Sequence, residues 1–168
     1  MSIAESIARA SAYLTAHPDE ARYRDGAAHA RLVAGLAVET TGPTGELLRT
    51  DMPQGIGGTA SAPSPGWYLR AATASCVVAL IAIRAAATGI LIGAVDVRVD
   101  SESDDRGILG LDPDIVAGAL SMKIVVSIAA VGQSQAALDE LGRWAIDHCP
   151  VSDTVRRAVP VEVEIHAT

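Results

Sequence analysis

Aromatic side chains are nearly missing from this chain. It has no Phe, and its rings are Trp67, Trp144, Tyr13, Tyr23 and Tyr68. A core of Ala, Val, Ile and Leu must be assembled from many small contacts, and a second copy would help supply them. Cysteine is scarce as well. Cys76 and Cys149 are the only two, which excludes a disulfide-rich scaffold. Basic charge is short: 13 Lys and Arg stand against 20 Asp and Glu, for a net charge of −7. That excludes broad nucleic-acid binding, which needs a surface able to neutralise phosphates. The most apolar stretch, Ala71 to Val95, is broken by Arg84 and Gly89. The uncharged pieces fall short of the roughly 18 residues of a spanning helix, so no membrane partner is expected. Met1 to Ala16 carries Glu5 and Arg9 and no apolar run, unlike a secretory signal. The expected location is the cytoplasm, with reduced thiols.

Several chemical signatures are also missing. There is no Walker loop and no dinucleotide fingerprint; Gly55-Ile56-Gly57-Gly58 precedes a Pro-rich loop instead of joining a strand to a helix. His17, His29, His148 and His166 lack ligand spacing, and no Cys-x-x-Cys occurs, so no metal is expected. The carboxylates of residues 101–114 read as a solvated surface turn, because a hard cation needs clustered oxygen ligands.

What is present is a globular chain of 168 residues, 49% apolar, of a length that fits one domain or two tightly joined lobes. Ile3, Ile7, Ala10 and Leu14 predict a helix over Ile3 to Ala16, stopped by Pro18. Ala30 to Thr40 reads as a strand, Thr41 to Gly45 as a turn and Glu46 to Thr50 as a second strand. Asp51 to Pro65 holds three Pro and three Gly and reads as a loop. Ser64-Pro65 then starts a helix running to about Ala87, with Gly89 as its cap. Leu69, Ala72, Cys76, Leu80, Ile83 and Ala87 form its expected stripe, although Ala and Val cover most other faces. Such a helix belongs at the centre of a domain or between two chains. Strands are expected over Ile90 to Asp100, Leu120 to Val131 and Val159 to Ile165, and an amphipathic helix over Ser134 to His148. The domain division expected is an N-terminal helix and turn over residues 1–26, followed by one domain over residues 27–168.

The cysteines carry the chemistry. Free Cys is often only a small buried hydrophobe. A pair brought together by the fold is different, because one thiolate attacks and the other resolves the oxidised product. Two segments give the pair an identity. Pro65-Gly66-Trp67-Tyr68-Leu69-Arg70-Ala71-Ala72-Thr73-Ala74-Ser75-Cys76 resembles the opening of the central helix in the OsmC/Ohr family. Cys149-Pro150-Val151-Ser152-Asp153-Thr154 resembles that family's second signature. The Gly57-Gly58 loop and the closing strand also match, and the similarity covers about residues 30 to 166.

The resemblance implies an α+β fold in which two long central helices are wrapped by antiparallel β-sheets, as an intertwined homodimer. It implies thiol-dependent reduction of organic hydroperoxides, with Cys76 peroxidatic and Cys149 resolving, an external dithiol as reductant and no cofactor. An Ala-lined pocket suits an alkyl hydroperoxide. Two departures matter. The family's helix-start Glu is replaced by Gly66. The family's Arg is assigned to Arg49, with Arg22 and Arg24 as reserves and an exposed strand Arg as the competing reading. Trp67 and Tyr68 also depart from the pattern and either line a pocket mouth or simply pack. The alternative function is therefore a small-molecule binding protein on the same fold, with weak or no peroxidase activity. A structural dimer with two inert thiols stands third.

Overall fold

The first element begins at its capping signal. Ser2 caps α1 (Ile3–Ala16) by accepting from the Glu5 backbone N–H, while the Glu5 carboxylate accepts from Ser2 N at 2.7 Å. This reciprocal box satisfies two orphan donors. No residue of α1 is buried, and His17 ends the helix with its ring stacked on Tyr13. The computed structural model describes residues 1–157 and 159–167. They fall into two compact units, Met1–Ala71 and Ala72–Thr168.

The first unit contains α1 and a three-stranded antiparallel sheet, β1 (His29–Ala34), β2 (Ala37–Thr41) and β3 (Leu47–Thr50), in that order. The single strand expected over Ala30 to Thr40 is two strands. Gly35, at φ +56°, turns the chain between them. A Gly there accepts the left-handed conformation without a Cβ penalty. The expected hairpin follows, with Val38 opposite Thr50 and Thr41 opposite Leu47.

The long helix is α2 (Pro65–Thr88). It starts at the expected Ser64-Pro65 and ends before Gly89, at φ +72°. Its length and composition would reach across a bilayer, but one side is packed inside the second unit. The buried stripe is Thr73, Val77, Ile81 and Ala85, not the neighbouring stripe expected from the sequence. The helix is apolar nearly all round, so periodicity alone did not select a face. Cys76 and Leu80, from the expected stripe, lie partly buried against the core. Leu69 and Ile83 remain exposed.

The second unit pairs β4 (Ala94–Glu102) antiparallel with β5 (Ser121–Ala129), Val97 opposite Val126. A one-turn helix, α3 (Asp105–Ile108), lies in the acidic connection. α4 (Gln135–Asp147) is capped by Ser134 and presents Leu141, Gly142 and Ala145 inward. The core joins Val77, Ile81 and Ala85 to Leu141, Ala145 and Cys149, with Val95, Val97, Val126 and Ile128 packed beside them. A short helix not foreseen from the sequence, α5 (Pro150–Arg156), follows directly. The strand expected over Val159 to Ile165 does not form: the described residues 159–167 pair with no strand, and Val161, Val163 and Ile165 are exposed. An alternating segment needs a ladder partner, and none of the described strands pairs with it.

Candidate active site

Two chain segments converge on the sulfurs. Cys76 is half-buried on α2, and Cys149 is fully buried at the N-cap of α5. Both are free thiols. The two sulfurs lie close enough to act on each other's ionisation. The Ser152 backbone N–H donates to Cys149 Sγ at 3.5 Å, and the Val151 backbone N–H acts on both sulfurs.

The local sequence explains this aim. Pro150 has no N–H to offer and its ring favours the first helical position. The next two N–H groups, of Val151 and Ser152, have no intrahelical acceptor and turn to the sulfurs. Ser152 is itself buried. Its Oγ donates to the carbonyls of Ile146, at 3.1 Å, and Cys149, at 3.2 Å, tying α5 back to the end of α4. Outside this corner Trp144 stacks on His148, with centroids 4.1 Å apart, and the Arg84 guanidinium lies 4.9 Å from the Trp144 ring.

These surroundings split the two thiols. Burial pushes the Cys76 thiol up, and the neighbouring Cys149 sulfur pushes it further. Burial pushes Cys149 up as well, but the Ser152 N–H, the Cys76 thiol and the Val151 N–H together outweigh it, and its value falls below that of an ordinary thiol.

The other expected site residues lie in the first unit. Arg49 stands on β3, largely exposed, with Nη2 3.3 Å from Glu39 Oε2; Glu39 also binds Arg31 at 2.7 Å. Gly66, Trp67 and Tyr68 form the first turn of α2, and the two rings meet edge to face, 5.1 Å apart. A Cβ added at Gly66 would meet nothing nearer than Arg70 Nη1 at 3.8 Å, so a side chain fits there.

The loop before α2 holds a residue the sequence reading missed. Asp51 is buried, and its carboxylate accepts from Met52 N (2.8 Å), Thr59 N (3.1 Å), Thr59 Oγ1 (2.6 Å), Ser61 N (3.0 Å) and Ser61 Oγ (2.9 Å). Those bonds, led by the Thr59 hydroxyl, hold its carboxyl well below the usual range. Gly58 is needed in the same turn, because a Cβ there would run into the Met52 carbonyl. An Asp followed by spaced Thr and Ser in a Gly-rich loop was the available signal.

Two grooves of the second unit contain neither cysteine. One lies between β5 and α4 at Val126, Leu138 and Gly142, the other beside Arg84, Ile90 and Leu141. Among the described residues, no group of three or more His, Cys, Asp or Glu could hold a metal ion.

A family profile described as OsmC-like protein matches residues 58–164, which include both cysteines. The chain belongs to the OsmC-like family. Solved OsmC-like structures share the fold at low identity. An OsmC-like protein from Mycoplasma pneumoniae is 18% identical with a TM-score of 0.68, covering 80% of this chain and 89% of that one. The organic hydroperoxide resistance protein OsmC of Legionella pneumophila is 20% identical with a TM-score of 0.60, covering 80% and 91%. The organic hydroperoxide resistance protein of Bacillus subtilis is 19% identical with a TM-score of 0.53, covering 79% and 91%. No curated protein matches the chain by sequence. The α+β fold with antiparallel sheets and a long central helix agrees with the OsmC-like resemblance seen in the sequence.

Proposed function

We infer that this OsmC-like chain reduces organic hydroperoxides, with Cys76 as the attacking thiol and Cys149 as the resolving thiol. The observation that carries the reading is that two free thiols, from α2 and from the start of α5, lie close enough to act on each other's ionisation, within and beside a largely aliphatic core. Solved relatives described as organic hydroperoxide resistance proteins support the substrate class.

The Cys76 thiolate attacks the distal peroxide oxygen, the O–O bond breaks and an alcohol leaves. The sulfenic acid left on Cys76 is attacked by the Cys149 thiolate, which forms the disulfide and expels hydroxide. An external dithiol restores both thiols by exchange. Arg49 is the cation carried over from the family, and to serve a thiolate it must leave Glu39. A homodimer, which would cover the exposed face of α2 at Leu69 and Ile83, and a cytoplasmic location complete the reading.

Wild type should consume an alkyl hydroperoxide in the presence of a dithiol, and Cys76→Ser should abolish this. An unchanged rate in that variant overturns the assignment.

Gly66 favours a second reading, a small-molecule binding protein without turnover, because the helix start lacks a carboxylate and leaves open space. Retention of a small molecule through purification, with both thiols inert to peroxide, would support that reading instead.

A further inference from the structure

The groove between the end of α2 and α4 is built by helical spacing. On α2, Arg84 and Thr88 stand one turn apart; on α4, Ala137, Glu140 and Leu141 share a face. Gly89 turns the chain at the end of α2, and the Ile90 N–H bonds the Ala85 carbonyl at 2.9 Å, which places Ile90 at the groove. Together these residues line a cavity of about 170 Å³.

Its floor is aliphatic and its rim is charged. Ile90, Ala137 and the buried Leu141 supply the floor. Arg84 is half-buried and is, with Arg70, one of two charged residues on α2. Its guanidinium lies 4.9 Å over the Trp144 ring. Stacking uses the flat face of a guanidinium and leaves its edge N–H groups free to grip a carboxylate in a two-point bond. Among the described residues, neither Arg84 nor Glu140 forms an ion pair. The Thr88 hydroxyl donates to the Arg84 carbonyl at 2.9 Å, so it offers only lone pairs to a ligand. The negative end of the α2 dipole adds to that accepting side.

We propose that this groove binds a small aliphatic amino acid. The ligand carboxylate sits on the Arg84 guanidinium, its ammonium on Glu140 and Thr88 Oγ1, and its side chain on Ile90, Ala137 and Leu141. A simple carboxylate would leave Glu140 without a cation, and a simple amine would leave Arg84 without an anion, so a zwitterion is the matched ligand. The cavity falls well below the roughly 300–1,000 Å³ of drug-sized sites, which limits the ligand to a small molecule. The groove contains neither cysteine, and binding there makes and breaks no covalent bond.

The test is a titration of L-leucine into the reduced full chain, read by calorimetry and by the Trp144 indole N–H resonance. Isocaproate and isopentylamine are the probes that lack the ammonium and the carboxylate. Leucine should saturate one site per chain and move the Trp144 resonance. Each single-charge probe should bind at least about tenfold more weakly, the loss of one charge-assisted contact. Arg84→Gln and Glu140→Gln should each weaken leucine by a similar factor. Arg84→Gln also disturbs the stack on Trp144, so the deciding variant is Glu140→Gln, at an exposed position without an ion pair. It should melt with wild type and still lose leucine. Cys76→Ser should bind leucine as wild type does. Neither saturable heat nor a Trp144 shift, equal affinity for leucine and both probes, unchanged affinity in Glu140→Gln, or loss of leucine in Cys76→Ser overturns the proposal. Hydroperoxide consumption is a separate measurement: a wild type that binds leucine and spares peroxide contradicts only the hydroperoxide reading.

Discussion

Ser152→Ala isolates the bond that fixes the Cys149 corner. The hydroxyl is buried and donates to two carbonyls, those of Ile146 and Cys149. Neither carbonyl is orphaned by the change. Ile146 O keeps the Cys149 N–H at 3.4 Å, and Cys149 O keeps the Asp153 N–H at 2.9 Å. The loss is then that of a made hydrogen bond, without the penalty for a stranded acceptor: about 1–1.5 kcal/mol. For a chain of this size that lowers Tm by about 2–6 °C. Thermal unfolding at one fixed protein concentration measures it. The Ser152 backbone N–H survives the substitution, so its contact with Cys149 Sγ should survive too. A loss above about 3 kcal/mol, the scale of a stranded buried polar group, would refute the reasoning. So would no loss at all.

Ile81 is fully buried in the α2 core, and Ile81→Ala should cost about 2–5 kcal/mol in denaturant unfolding. Gly66→Glu should stabilise the chain by about 0.5–1 kcal/mol, because a helix Gly is replaced where space exists, and should also raise the hydroperoxide rate. No gain in melting temperature would count against the helix-start geometry. Asp51 contributes stability that is present above its unfolded value of about 3.9 and is lost as pH falls toward its depressed folded value. Acid unfolding of wild type should therefore be steeper than that of Asp51→Asn, and coincident curves would refute the sign. Oxidation to a Cys76–Cys149 disulfide closes a loop of about 73 residues and should stabilise the chain by about 4 kcal/mol, read from reduced and oxidised melting curves.

Local signals in the chain were reliable where they involve few residues. Ser64-Pro65 and Gly89 mark both ends of α2, and Ser134 marks the start of α4. Motif singled out both cysteines, and the fold sets their sulfurs close enough to act on each other's ionisation. What escaped was anything requiring a choice between equivalent surfaces or a tertiary partner. An all-apolar α2 hides which stripe is buried. Gly35 split a strand that pattern alone kept whole. Val159 to Ile165 alternates like a strand, yet a strand exists only against a neighbouring edge. The α5 helix that Cys149 caps was not legible either, and the nearness of Cys149 to Cys76 depends on Cys76 arriving from α2.

The central claim, a working thiol pair, is tested most directly by mass spectrometry of reduced protein after one equivalent of an alkyl hydroperoxide. The expected product is a chain lighter by two hydrogens, with Cys76 linked to Cys149 within one chain and one equivalent of alcohol released. Intact peroxide beside two free thiols would contradict it.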